Sequence, residues 1–252
     1  MIGNRIIRLD KVDSTNLYAE RWLREHQEDC EMMEEDIVII SREQTAGKGQ
    51  GENHWESEAG KNLTFSIILH PGFLDPSLQF QLNKAIALGV SDFVRQQLKP
   101  VRCFLKWPND IYVNQLKLGG ILIQHQVNGK ILENSIVGIG LNINQSVFLP
   151  EIPEPASFSN ISGKQFDTGE LLPLVLKNLD FRYNQLKSGK IDKLDKDYHA
   201  RLLGFGKWNR YRVGDDWIEG LMAGVDEYGQ LIIRDTDGKE HFFSHGVLKF
   251  KP

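Results

Sequence analysis

The chain has 252 residues, with 30 Lys and Arg against 34 Asp and Glu, a net charge of −4. That length buries a full core as one large domain or two smaller ones without disulfide staples. The composition excludes wholesale disorder, and a slightly acidic balance excludes a general nucleic-acid coat, which would be basic overall.

Arg5 to Leu9 reads as a short strand, and Ser14 or Thr15 as the cap of a helix reaching about His26. Ile37 to Ile40 and Leu63 to Leu69 are apolar strand runs. Ser77 is placed to cap a helix to about Leu98, with Leu78, Leu82, Ile86, Val90 and Val94 drifting slowly around one face. Val101 to Lys106, Ile111 to Val113, Gly119 to Val127 and Lys130 to Asn142 read as strands. Asn128-Gly129 between the last two predicts a hairpin with a type I′ turn. Pro150, Pro153 and Pro155 mark a loop, and Leu171 to Leu186 and Ile191 to Leu203 read as helices. After Gly204 come short β-rich segments separated by turn residues, which predict a small barrel or sandwich. The whole is an α+β pattern with a boundary near 204–208.

Cys30 and Cys103 form neither a metal motif nor a disulfide framework, which points to a reducing compartment. Charges from Arg5 to Asp13 leave no signal-peptide core, and no apolar run reaches the ~18 residues of a membrane span. A cytoplasmic protein is expected. The histidines are read as carrying no zinc pair, and Ser41 and Ser66 lack a nucleophile-elbow context.

Four stretches can carry chemistry. Gln44-Thr45-Ala46-Gly47-Lys48-Gly49-Gln50-Gly51, closed by Trp55, is too glycine-rich for an ordinary strand. It fits either a mobile loop or a backbone cradle for an anion, but not a Walker A loop, which ends in Gly-Lys-Ser/Thr. Lys106-Trp107-Pro108-Asn109-Asp110 precedes Lys117-Leu118-Gly119-Gly120. A lysine entering an apolar sheet needs an anion: Asp110 in a structural pair, or an anionic substrate at Lys117 with Asp110 beside a Mg²⁺–phosphate group. Asp13-Ser14-Thr15-Asn16 reads as a helix cap that can also meet a small polar group. Gly138-Ile139-Gly140-Leu141-Asn142 breaks an apolar strand, as close backbone approach does.

These four stretches, in this order, resemble the biotin–protein ligase family. The most specific element is Lys106 to Asp110 with Lys117 eleven positions after Lys106. The likeness covers roughly residues 1–145. It implies a class II synthetase-like catalytic domain over 1–204, a mixed sheet flanked by helices, and an SH3-like β-barrel over 205–252. It implies a two-step reaction: biotin and MgATP form biotinoyl-AMP, then a lysine of a biotin carboxyl carrier domain of a biotin-dependent carboxylase takes the biotin. Biotin contacts are implied for Ser14, Thr15, Asn16, Gln44, Lys48, Gly49, Gln50, Lys117 and Gly120. ATP or adenylate contacts are implied for Gly47, Lys48, Gly49, Gln50, Trp55, Lys106, Asn109, Asp110 and Asn142. Lys117 is implied as the catalytic residue and Asp110 as the carboxylate near Mg²⁺, with no structural metal.

The glycine loop departs from the family's arginine-rich form Gly-Arg-Gly-Arg-Arg-Gly-Arg-x-Trp: every arginine is replaced, and Glu52 adds a negative charge. Weaker retention of the adenylate follows, or compensation from Arg42 or His54. Alternatives are a lipoate–protein ligase and a non-catalytic biotin-binding module. A DNA-binding repressor form is not expected, because only Met1 to Val12 precede the first motif. Nucleic-acid and membrane partners are likewise not expected, whereas a homodimer formed by sheet extension is compatible with the resemblance.

Overall fold

The computed structural model describes residues 1–26, 36–150 and 154–250. Cys30 and Pro153 lie outside the described residues. Strand β1 (Arg5–Val12) leads to helix α1 (Thr15–Glu25), then β2 (Ile37–Gln44) and β3 (Leu63–Leu69). Helix α2 (Phe80–Gln97) precedes β4 (Cys103–Lys106), β5 (Asp110–Val113), β6 (Leu116–Asn128) and β7 (Ile131–Leu141). Helices α3 (Phe158–Ser162), α4 (Thr168–Lys187) and α5 (Ile191–His199) follow. The chain ends in β8 (Trp208–Val213), β9 (Asp216–Val225), β10 (Leu231–Arg234), β11 (Glu240–Phe243) and β12 (Leu248–Lys249).

The first seven strands form one sheet in the order β1-β2-β3-β7-β6-β5-β4, parallel only between β1 and β2. The last five form a separate antiparallel sheet, β11-β10-β9-β8-β12. This is the α+β class expected, with helices on both faces of the large sheet.

Helix α1 buries Thr15, Asn16, Ala19, Trp22 and Leu23, one stripe at helical spacing. Ala19, Trp22 and Leu23 pack on Ile37, Ile39, Ile68 and Ile136 on one face of the sheet. The other face, with Phe65, Ile67, Val137 and Ile139, joins the larger core under α2 and α4. Each Leu or Ile buried there contributes about 1.5–3 kcal/mol. Helix α2 is buried nearly all round, and at Gly89 a Cβ would lie 2.9 Å from the Leu179 Cα, so glycine sets the close approach of α2 to α4.

Three local expectations are corrected. Ser14 occupies the cap position of α1 but makes no side-chain cap bond; Gln44 Oε1 accepts from the Thr15 N–H at 2.8 Å instead. Ser77 is not the cap before α2: Asp75 accepts from the Ser77 N–H, and a 3₁₀ turn at Pro76–Leu78 precedes the helix. The β6–β7 hairpin forms, but Asn128 pairs with Ile131, leaving Gly129 and Lys130 as the turn. Positive φ falls at Gly129 alone, which suits a type II′ turn rather than type I′.

The two sheets are joined by polar contacts. Lys84 of α2 is fully buried; its ammonium donates to Asp195 Oδ1 at 2.8 Å and to the Asp226 carbonyl at 3.1 Å, between the rings of Phe80 and Tyr198. Trp107 Nε1 donates to the Gly229 carbonyl at 3.0 Å. No helix among the described residues is long and apolar enough to cross a membrane.

Candidate active site

Side chains alternate along β6 and β7, so Gly138 and Gly140, with Gly120 and Leu122 opposite them, face α1. On that face the four sequence stretches converge in a line.

At one end, Thr15 and Asn16 enter from α1, Gln44 from the end of β2, and Ser66 from β3. Thr15 Oγ1 donates to Gln44 Oε1 at 3.1 Å. Ser66 Oγ lies 2.7 Å from Thr15 Oγ1 and 2.6 Å from Asn16 Oδ1. Asn16 Nδ2 donates to Gln124 Oε1 at 2.8 Å. Gly138 makes room: a Cβ there would overlap the Asn16 amide. Asp13 is turned to a different task. It takes both guanidinium nitrogens of Arg21 at 2.8 Å, and that hydrogen bonding holds its carboxyl down to about 2.

The glycine-rich stretch is a tight hairpin. Trp55 N–H donates to the Gly47 carbonyl at 2.9 Å, Gly49 N–H to Asn53 at 2.8 Å, and Lys48 bridges His54. Gly51 turns the tip at φ +64°. Gly47 shows why glycine is required, since a Cβ there would lie 2.5 Å from the Trp55 carbonyl oxygen. The hairpin returns Trp55 over Gly140, with the ring edge 3.6 Å from where a Gly120 Cβ would be. The indole Nε1 is buried without a hydrogen-bond partner. Beyond Trp55, Glu56, Glu58 and Asn62 are bonded to Gln145, which anchors the returning strand.

The far end holds the lysines. Lys117 Nζ meets Asp110 Oδ1 at 2.7 Å, both partly exposed, and Asp110 lies beside Gly120. Lys106 is paired opposite Asp110 in the β4–β5 ladder, its ammonium over the rings of Tyr112 and Phe250. Burial pulls the Lys106 pKa down, while Asp110 pushes it back up.

Two asparagines serve the main chain. Asn109 Nδ2 donates to the Ile121 carbonyl at 2.7 Å and its carbonyl accepts from Ile121 N–H at 2.9 Å, which clips the turn to β6. Asn142 is buried and donates to Ala156 at 3.1 Å. His241 and His245 stand four residues apart, a spacing that sequence reasoning passed over. They diverge: His241 bonds Asp235 at 2.7 Å and His245 faces the Trp107 ring. Arg42 packs beside the Gly60 turn. Among the described residues no three His, Cys, Asp or Glu side chains gather as a metal cage.

Sequence reasoning missed Ser66, Gln124 and Glu20. Ser66 left a signal, a hydroxyl in the middle of the apolar run Leu63–Leu69. It also missed a cleft of about 200 Å³ where Gln50 meets Phe80, Asn83, Asn109, His125 and, from the small sheet, Tyr228. There His125 bonds Ser135 at 2.8 Å, and burial pulls its pKa from 6.5 to about 4. Between those values the unfolded chain takes up a proton that the folded chain refuses, so stability falls as pH drops through that window. Burial lowers His70, His199 and His245 in the same sense. His125→Gln is therefore expected to flatten part of the decline in melting temperature between pH 7 and 4.5; identical slopes would reject the assignment.

The architecture, a mixed seven-stranded sheet followed by a small antiparallel sheet, is similar to that of solved biotin protein ligases. The biotin protein ligase from Aquifex aeolicus in complex with biotin and ATP superposes with a TM-score of 0.76 at 26% identity, covering 98% of each chain. The sequence model of the biotin/lipoate A/B protein ligase family matches residues 10–142, and the chain belongs to that family. It is 27% identical to the bifunctional ligase/repressor BirA of Bacillus spizizenii over 253 residues, covering 98% of this chain and 74% of that one. It is 29% identical to the biotin--[acetyl-CoA-carboxylase] ligase of Paracoccus denitrificans over 209 residues, covering 80% and 85%.

Proposed function

We propose that this protein is an ATP-dependent ligase that forms biotinoyl-AMP and transfers biotin to a lysine of a biotin carboxyl carrier domain. The observation that carries it is the line on the α1 face: a buried polar cluster, an indole over a glycine pair, then a partly exposed lysine–carboxylate pair. That order suits an acid with a polar ring at one end and a carboxylate that meets a nucleotide at the other. Thr15, Asn16, Gln44 and Ser66 meet the ring, with the buried Ser14 beside them. Trp55 flanks the adenosine, and Lys117 lies where carboxylate and α-phosphate meet. Asn109 and Asn142 act by holding the main chain around it, and Lys106 adds positive charge behind Asp110.

In the first step a carboxylate oxygen attacks the α-phosphorus and pyrophosphate leaves. Both reactants are anions, so Lys117 stabilises the charge that builds between them. In the second step the carrier amine attacks the acyl carbon, AMP leaves, and the amine proton passes to solvent. No protein nucleophile is needed, since positioning and electrostatics suffice. Magnesium would enter with ATP as part of the substrate and offset phosphate charge, with Asp110 as the carboxylate placed to lie beside it. Residues 1–204 and 205–252 are assigned as ligase and small β-rich domains.

The test is incubation with labelled biotin, MgATP and a carrier domain with and without its acceptor lysine. Label transfer that requires the lysine supports the function; lipoate used in preference to biotin, or no transfer, overturns it. The arginine-free hairpin carries its own expectation. Gln50 offers amide bonds where a guanidinium would offer a charged fork, so Gln50→Arg is expected to slow adenylate release about tenfold. Equal release rates in rapid dilution would reject this.

A further inference from the structure

A hydrogen-bonded chain runs from the buried cluster assigned to the ring to the half-buried Glu20. Asn16 is buried, with its amide held at both ends: Oδ1 faces Ser66 Oγ at 2.6 Å, and Nδ2 donates to Gln124 Oε1 at 2.8 Å. Gln124 Nε2 donates in turn to Glu20 Oε1 at 2.8 Å. Glu20 is half-buried, one turn along α1 from Asn16 and on the same side of the helix.

An amide alone has no preferred sense, because its oxygen and nitrogen ends are nearly equal in size. Glu20 supplies one. An ionised carboxylate only accepts, so it takes the NH₂ end of Gln124 and leaves the oxygen facing Asn16. Asn16 must then point its NH₂ at Gln124 and its oxygen at Ser66. The Leu122 carbonyl, 3.4 Å from Asn16 Nδ2, favours the same sense. Thr15 gives its proton to Gln44, so the Ser66 proton is directed at Asn16 or Thr15. The donor and acceptor pattern of this cluster is thus set chiefly from residue 20, with the longer Leu122 contact in support.

We infer that Glu20 is a positioning residue that, through Gln124, sets the hydrogen-bond polarity with which the pocket receives the ureido ring of biotin. This rests on the functional reading above. It supplies a specificity device: a dithiolane ring, which lacks N–H and C=O groups, leaves the fixed floor unpaired and is rejected.

The experiment measures KM for biotin and for ATP separately by pyrophosphate exchange on full-length Asn16→Ala, Glu20→Lys, Glu20→Gln and the double variant Glu20→Lys/Gln124→Glu. The ammonium introduced by Glu20→Lys only donates, so it turns the Gln124 amide round and sets two NH₂ groups face to face. The carboxylate that Gln124→Glu adds in the double variant accepts from both that ammonium and Asn16, and restores the original sense. Glu20→Lys is expected to raise the biotin KM about tenfold with ATP KM and kcat within about twofold, one buried group being left unsatisfied. Glu20→Gln, which allows both senses, should give a smaller rise of the same kind. The double variant should return the biotin KM to within about threefold of wild type. If Asn16→Ala raises the biotin KM and Glu20→Lys does not, the relay is wrong while the site stands. A double variant that stays impaired, or a rise shared equally by ATP, also overturns the relay. An unchanged biotin KM in Asn16→Ala removes the pocket assignment itself. Should Glu20→Lys fail to fold, Glu20→Gln decides alone: an unchanged biotin KM overturns the relay.

Discussion

Lys117→Ala is expected to lose at least about a hundredfold of biotin-dependent ATP–pyrophosphate exchange while still melting as a folded protein. The two halves of that expectation come from different parts of the residue. The backbone of Lys117 is pinned independently of its side chain: its N–H donates to Glu154 at 2.8 Å and its carbonyl accepts from Ala156 at 2.9 Å. The side chain pairs with Asp110 where both are partly open to solvent, and such a pair contributes about 1 kcal/mol or less to folding. During adenylation the same ammonium stands between two anions with water displaced, where its charge is worth far more. Lys117→Arg keeps the charge but spreads it over a planar fork, so it should recover only part of the rate. Near-normal exchange in Lys117→Ala would remove the residue from the mechanism.

Gly138→Ala and Gly140→Ala are expected to damage different substrates, although they lie two positions apart on β7. A methyl group at 138 strikes the Asn16 amide, whereas one at 140 strikes the Trp55 indole. The first should raise the KM for biotin by about one to two orders of magnitude, and the second should raise the KM for ATP by a similar factor. Each also costs about 1–3 kcal/mol of stability, because neighbouring groups must shift to admit the methyl. Measuring both constants on both variants decides the matter. If the two variants raise the same constant, ring and nucleotide do not lie in the order assigned along the sheet.

Much of the architecture was legible in the sequence because apolar runs and turn residues report it directly. The run from Leu63 to Leu69 coincides with β3, and the hairpin after Asn128 was placed within one residue. What escaped depended on side chains that serve a distant main chain. Nothing near Ser14 in sequence reveals that Gln44, 29 positions beyond Thr15, will cap α1. The loop around Gly47 left two readings open, and the folded answer is a closed hairpin that needs Asn53 and Trp55 as partners. Asn109 and Asn142 fall in motif positions, but their amides spend hydrogen bonds on Ile121 and Ala156. Gln124 and Glu20 carry no motif at all. Their connection exists only after β6 has been laid beside α1.

The contacts of Lys84 and Trp107 with the turn at Asp226 and Gly229 bear on how the molecule comes apart. A buried ammonium that draws one acceptor from helix α5 and one from the turn after β9 cannot lose either cheaply. Detaching the small sheet would leave the ammonium with Asp195 alone in the core and unhook the tryptophan next to Asn109 and Asp110. The two sheets are therefore expected to melt in a single transition, which calorimetry would show as one peak. The lysine end of the site draws its rigidity from strands that carry none of its chemistry.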